Sequence, residues 1–193
     1  LAMAGCRDRR PVLEVRESLL DRNRIRRWPA AAPYRVLLSA TAVVASDEHR
    51  DRLNREALSV VPPGGSAWLV AGPAELATVP GAADPRLRPV RRLPVAAVAD
   101  GDLPDGPAVL PEPMLGYLGA VVPDCGRAHL DTPRVYARRR GDTVTFSLPY
   151  SRRPLLLDLV PPGADRVTLD RCPPHGTTVL AAAAPSGAAA ADR

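Results

Sequence analysis

The chain has 193 residues, of which 46% are apolar and only 4% aromatic, and its formal charge is +5. That length suits one domain, and that apolar share is enough to build a core, which excludes wholesale disorder. All 26 basic residues are arginine, lysine and glutamine are absent, and Ile25 is the sole isoleucine; this bias reflects a GC-rich genome and weakens any inference from basic charge to nucleic acid or membrane.

With so few aromatics the core must come from valine, leucine and alanine, which fill space only by close interdigitation. The 23 prolines limit the length of every regular element. Residues 1–10 are expected to be a flexible N-terminus. Residues 12–28 read as an amphipathic helix with Val12, Val15 and Leu19 on one face. Arg16, Arg22, Arg24, Arg26 and Arg27 suit the negative end of its dipole, and Pro29 and Pro33 end it. The most apolar stretch, residues 30–46, is broken by Pro33 and Arg35, so no helix is expected to span a bilayer.

Arg35-Val36-Leu37-Leu38 reads as a buried strand. Ser46-Asp47-Glu48 reads as a helix start, with the helix running from His49 to Leu58. After the turn Pro62-Pro63-Gly64-Gly65, Ser66 to Ala71 is a short apolar strand, and Pro73 to Ala77 adds one helical turn. This strand–helix–strand order indicates a short α/β segment. Residues 81–106 are dominated by Pro, Gly, Asp and Arg, with short strands around Val90 and over Val95 to Val98.

From about residue 134 the pattern is β-rich. Val144, Phe146 and Leu148 alternate with Thr143, Thr145 and Ser147, as on a strand with one face in a core and one in solvent. Arg140-Gly141-Asp142 joins it to Val135-Tyr136-Ala137 as a hairpin, and the Gly-Asp pair serves that turn rather than cell adhesion. Leu155 to Val160, Val167 to Leu169 and Thr177 to Leu180 extend the β pattern. Residues 181–193 are expected to be a disordered Ala-rich tail. The fold class expected is therefore α+β: N-terminal helices, a short α/β segment and a C-terminal antiparallel sheet, in a single domain over residues 11–180.

One constellation carries chemistry. Cys125-x-x-x-His129 and Cys172-x-x-His175 place two thiols and two imidazoles in local pairs beside Pro and Gly, so tight turns can present them to one zinc ion. The same cysteines can instead form a disulfide closing a loop of 46 intervening residues, about 3–4 kcal/mol in the chain-entropy view. A third reading makes Cys125 a nucleophile with His129 and Asp124 beside it. The remaining cysteine ends Leu1-Ala2-Met3-Ala4-Gly5-Cys6, which resembles a lipobox, the end of a bacterial lipoprotein signal. That resemblance implies lipidation of Cys6 and an exported, lipid-anchored chain whose other two cysteines pair; without it the location is cytoplasmic by default.

Elsewhere the residues read as structure. His49 lies among cap and surface charges. Asp100, Asp102 and Asp105 occupy a turn-rich loop without the distal glutamate of a calcium loop. Gly64-Gly65-Ser66 precedes a strand, whereas phosphate loops follow one. Arg138-Arg139-Arg140 lacks interleaved aromatics, so a protein partner is favoured over nucleic acid. The function expected is a non-catalytic interaction or accessory domain, part of a larger or exported protein. A small Cys/His enzyme and a zinc-stabilised module are the alternatives, and apart from zinc no cofactor is indicated.

Overall fold

A computed structural model describes residues 10–17, 33–79, 84–149 and 158–184. Among these residues the fold is mostly β, with eleven strands and three helices, so the α+β expectation with N-terminal helices is corrected. Nine strands form one mixed sheet: β1 (Val12–Arg16), β2 (Tyr34–Leu38), β3 (Ala67–Ala71), β4 (Leu87–Arg92), β5 (Ala108–Glu112), β6 (Gly116–Val122), β7 (Arg127–Leu130), β10 (Val167–Arg171) and β11 (Thr178–Ala182). The other two, β8 (Tyr136–Arg140) and β9 (Thr143–Ser147), pair as a separate hairpin. The helices are α1 (Asp47–Leu58), α2 (Pro73–Leu76) and α3 (Val95–Ala99).

The sheet order is β10-β11-β7-β6-β5-β4-β3-β1-β2. Contacts from β2 through β1, β3 and β4 to β5 are parallel, and those from β5 through β6, β7 and β11 to β10 are antiparallel. The antiparallel half is built mostly from β5–β7, where no sheet was expected, joined by β10 and β11, whereas the expected hairpin of β8 and β9 stands apart from the large sheet. The first expected helix begins as β1, which sits between β2 and β3 and is buried along its whole length. A strand enclosed on both faces shows no in-out alternation, and the three-residue spacing of Val12 and Val15 matches a helix only by coincidence. The rest of that expected helix, with Leu19 and its later arginines, lies outside the described residues, as do residues 1–9, Cys6 included.

Val95–Ala99 is helical rather than extended, because Pro94 fixes an extended cap and Val95 and Val98 then fall on one buried face. By contrast α1 starts as expected: Ser46 accepts a hydrogen bond from the His49 N–H at 3.2 Å. Buried Asn54 ties this helix to the sheet, accepting from the Leu38 N–H at 2.7 Å and donating to the Leu38 carbonyl at 3.0 Å. Strand β11 runs to Ala182, into the alanine-rich stretch, paired with Val167. Residues 185–193 lie outside the described residues.

Apolar packing divides between the two halves. Leu13, Val15, Leu37 and Leu69 pack with Ala57 of α1. The larger cluster joins Val95 and Val98 of α3 to Leu110, Leu118, Leu130 and Leu180, and brings in Val144 and Phe146 of the small hairpin. Phe146 is fully buried, yet the opposite face of β9 is not in solvent as expected. Thr145 donates to Asp158 at 3.0 Å, and the Asp158 N–H donates to Ser147 at 2.9 Å, so that face is covered by the returning chain.

Two details fix strand positions. Gly119 of β6 lies opposite Leu130, and a Cβ there would stand 1.9 Å from the His129 carbonyl oxygen. Glu14, fully buried on β1, accepts from Arg16 at 2.9 Å, from the Tyr34 hydroxyl at 2.7 Å and from the Tyr117 hydroxyl at 2.6 Å. Burial and the Glu14 carboxylate raise both phenols far above the ordinary tyrosine range.

Replacing Gly119 by Ala forces β6 and β7 apart and should destabilise the protein by about 3 kcal/mol, at the upper end of overpacking costs, read as a lowered urea midpoint at constant slope. Raised phenol pKa values mean that the native state keeps protons which the unfolded state loses above about pH 10, so stability falls as pH rises through that range. In a spectrophotometric titration, Tyr34 and Tyr117 should ionise only together with unfolding; their smooth ionisation in a folded chain would contradict the Glu14 geometry.

Candidate metal centre

Strand β7 is registered with Ala120 of β6 and Val179 of β11 through His129. Neighbouring Ala128 and Leu130 join the main core cluster, so alternation places His129 on the other face of the sheet. The turn before β7 curls over that face. Its Cys125 and Gly126 N–H groups both donate to the Val122 carbonyl, at 3.2 and 2.9 Å, and Gly126 takes a left-handed φ of 62°. A second turn joins β10 to β11. There Cys172 N–H donates to Thr177 O at 2.8 Å, Gly176 N–H donates to Cys172 O at 2.7 Å, and Gly176 is left-handed at φ 64°. Proline and glycine thus hold both cysteines on tight turns, as their sequence neighbours imply.

The two turns converge. One ligand atom from each of Cys125, His129, Cys172 and His175 lies within 4.8 Å of all the others. Cys125 Sγ is 3.0 Å from His129 Nε2, Cys172 Sγ is 3.3 Å from His175 Nδ1, and the two sulfurs are 3.8 Å apart. The imidazole rings meet edge to face at 5.0 Å between centroids. Cys172 and His129 are buried, Cys125 is half-buried and His175 is exposed. Both cysteines are free thiols. This group can hold a metal ion.

One hydrogen bond prepares His129 for that role. Its Nδ1 lies 2.7 Å from the Thr177 hydroxyl, and with the proton on Nδ1 donated to Thr177, Nε2 keeps its lone pair facing the sulfurs. Burial, with the charges of His175 and Arg127, holds the His129 pKa below the usual imidazole range, favouring the neutral, ligating form. Burial, with the adjoining Cys172, pushes the Cys125 thiol up. A nucleophilic thiol needs the opposite shift. Asp124 is exposed, and no hydrogen bond among the described residues joins it to Cys125 or His129.

Thr177 is the site residue that sequence spacing does not show, because its proximity to His129 depends on β7 pairing with β11. A second feature also emerges only from the fold. Arg92, at the end of β4, donates to Val15 O at 2.7 Å and to Glu75, beside an open cavity of about 350 Å³ lined by Gly72, Pro73, Pro111 and Pro113. The other residues weighed from sequence lie apart from the Cys/His cluster. The half-buried His49 ring lies 2.9 Å from Arg52, Asp100 pairs with Arg166, and Gly64 and Gly141 form left-handed turns. Arg138 and Arg140 pair with Asp158, and Arg139 with Asp142, so the arginine run is matched by carboxylates. No helix among the described residues is long and apolar enough to cross a membrane.

Comparison with known proteins adds no assignment: no family model, curated protein or solved structure matches the chain.

Replacing Thr177 by Val removes the acceptor that orients His129 and should weaken metal binding about 10- to 100-fold, measured by competition with a chromophoric chelator. An unchanged affinity would remove Thr177 from the site.

Proposed function

We propose that this chain is a non-catalytic accessory domain whose antiparallel half is held together by a structural zinc ion on Cys125, His129, Cys172 and His175. The observation that carries the reading is the separation of the two sulfurs. Two thiolates bound tetrahedrally to zinc at about 2.3 Å stand about 3.8 Å apart, and Cys125 and Cys172 are at 3.8 Å. The donor set agrees, since thiolate with imidazole in a tetrahedral shell is zinc chemistry.

Four protein donors complete that shell and leave no position for water or substrate, which supports a structural rather than a catalytic role. The ion would fasten the β6–β7 turn to the β10–β11 turn. Its binding free energy would add to folding, because the unfolded chain brings the four donors together only at an entropic cost. The arginines around β8 are matched by the chain's own carboxylates, which weighs against a nucleic-acid surface there.

Metal analysis of the purified chain should give one zinc per molecule. With free zinc 1,000-fold above Kd the ion contributes about 4 kcal/mol, so stripping it should lower the thermal midpoint by about 10 °C, and Cys172→Ser should abolish both zinc and the shift. Failure to bind stoichiometric zinc on refolding with excess metal would overturn the reading.

A further inference from the structure

The same geometry that suits zinc also suits oxidation, and this inference rests on the zinc reading above. Cys125 lies on a turn and is half-buried, so a small oxidant reaches it, whereas Cys172 is fully buried behind it. Their sulfurs are already in van der Waals contact at 3.8 Å. A sulfur oxidised at Cys125 therefore has a second thiol within reach, and a small movement of two hairpin turns brings them to bonding distance.

We propose that the centre is a peroxide-sensitive switch, in which hydrogen peroxide converts the Cys125 and Cys172 thiolates into a disulfide and releases the zinc. In the first step the Cys125 sulfur, which zinc coordination would hold as the thiolate, attacks one peroxide oxygen. An S–O bond forms, the O–O bond breaks, and hydroxide leaves and is protonated to water. The Cys172 thiolate then attacks the Cys125 sulfur. An S–S bond forms, the S–O bond breaks, and the second hydroxide leaves, again as water. Two electrons pass from the two sulfurs to one peroxide, which takes up two protons.

The disulfide removes both anionic donors at once. His129 and His175 remain as two neutral ligands, too few to retain zinc in competition with solvent. The link between the two turns nevertheless survives, because the covalent bond joins the residues that the metal joined. Oxidation thus exchanges one cross-link for another, and a dithiol reductant with zinc restores the first. The buried partner also protects Cys125 from further oxidation, since disulfide formation consumes the sulfenic acid before it reaches the irreversible sulfinic stage.

The test uses the full chain carrying Cys6→Ser, loaded with zinc and treated with hydrogen peroxide. Released zinc is read with a chromophoric chelator and thiols by alkylation and mass spectrometry. Expected are one zinc released for every two thiols lost, a Cys125–Cys172 linked peptide, and recovery of zinc binding after dithiothreitol. In the Cys125→Ser chain, Cys172 should resist alkylation and peroxide. Release of zinc with Cys125 carried to the sulfinic acid and no linked peptide would overturn the switch, as would zinc and both thiols persisting at peroxide that oxidises free cysteine. A chain lacking zinc before treatment would instead overturn the structural-zinc reading, so the two failures are distinguishable.

Discussion

Where β6 passes β7, the backbones approach too closely for any side chain on the inner strand. A methyl group at Gly119 would overlap the His129 carbonyl, 1.9 Å away. The carbonyl that needs this space belongs to the residue whose imidazole faces the two sulfurs. Strand β7 has only four residues, and it alone connects the β10–β11 hairpin to the rest of the large sheet. The absence of one carbon on β6 therefore sets where β7 lies, where β11 can pair, and whether Thr177 reaches His129. Local sterics at a glycine become the geometry of the Cys/His cluster that begins on the neighbouring strand.

The other half of the sheet is organised by charge. A carboxylate with no access to water is tolerable only if its oxygens are bonded, and Glu14 accepts from an arginine and two phenols. Tyr34 comes from an edge strand and Tyr117 from the antiparallel half, so one carboxylate binds both sides of the parallel-to-antiparallel transition. A register slip on β1 would send Glu14 to the face that carries Leu13 and Val15, leaving it unbonded among aliphatic side chains. Buried polar groups of this kind specify an arrangement more than they stabilise it.

Much of the local structure was legible in the residues. Ser46 announces α1, Arg140-Gly141-Asp142 announces the β8–β9 turn, and the alternation around Phe146 gives a strand with a buried side. The convergence of Cys125, His129, Cys172 and His175 was partly legible too, because each half is a short-range pair on a turn-forming sequence. What sequence concealed was enclosure. Val12–Arg16 is buried on both faces, so it shows no period-two signal, and the run Gly116–Val122 carries none for the same reason. Long-range pairing was equally hidden: neither the contact of Thr177 with His129 nor that of Tyr117 with Glu14 leaves a local trace. Thr145 and Ser147 looked solvent-facing because Asp158, which covers them, lies beyond the hairpin.

The four donors are also ordered along the chain. Cys125 and His129 are synthesised first, then the whole β8–β9 hairpin, and only afterwards Cys172 and His175. A chain that reaches only as far as β9 has one thiol and one imidazole of the quartet, half of the shell that the proposed ion would need. The quartet is complete only once β11 pairs with β7. Under the zinc proposal, binding would therefore require residues through 175 and the pairing of the final strands, and a chain ending before them would lack the proposed cross-link.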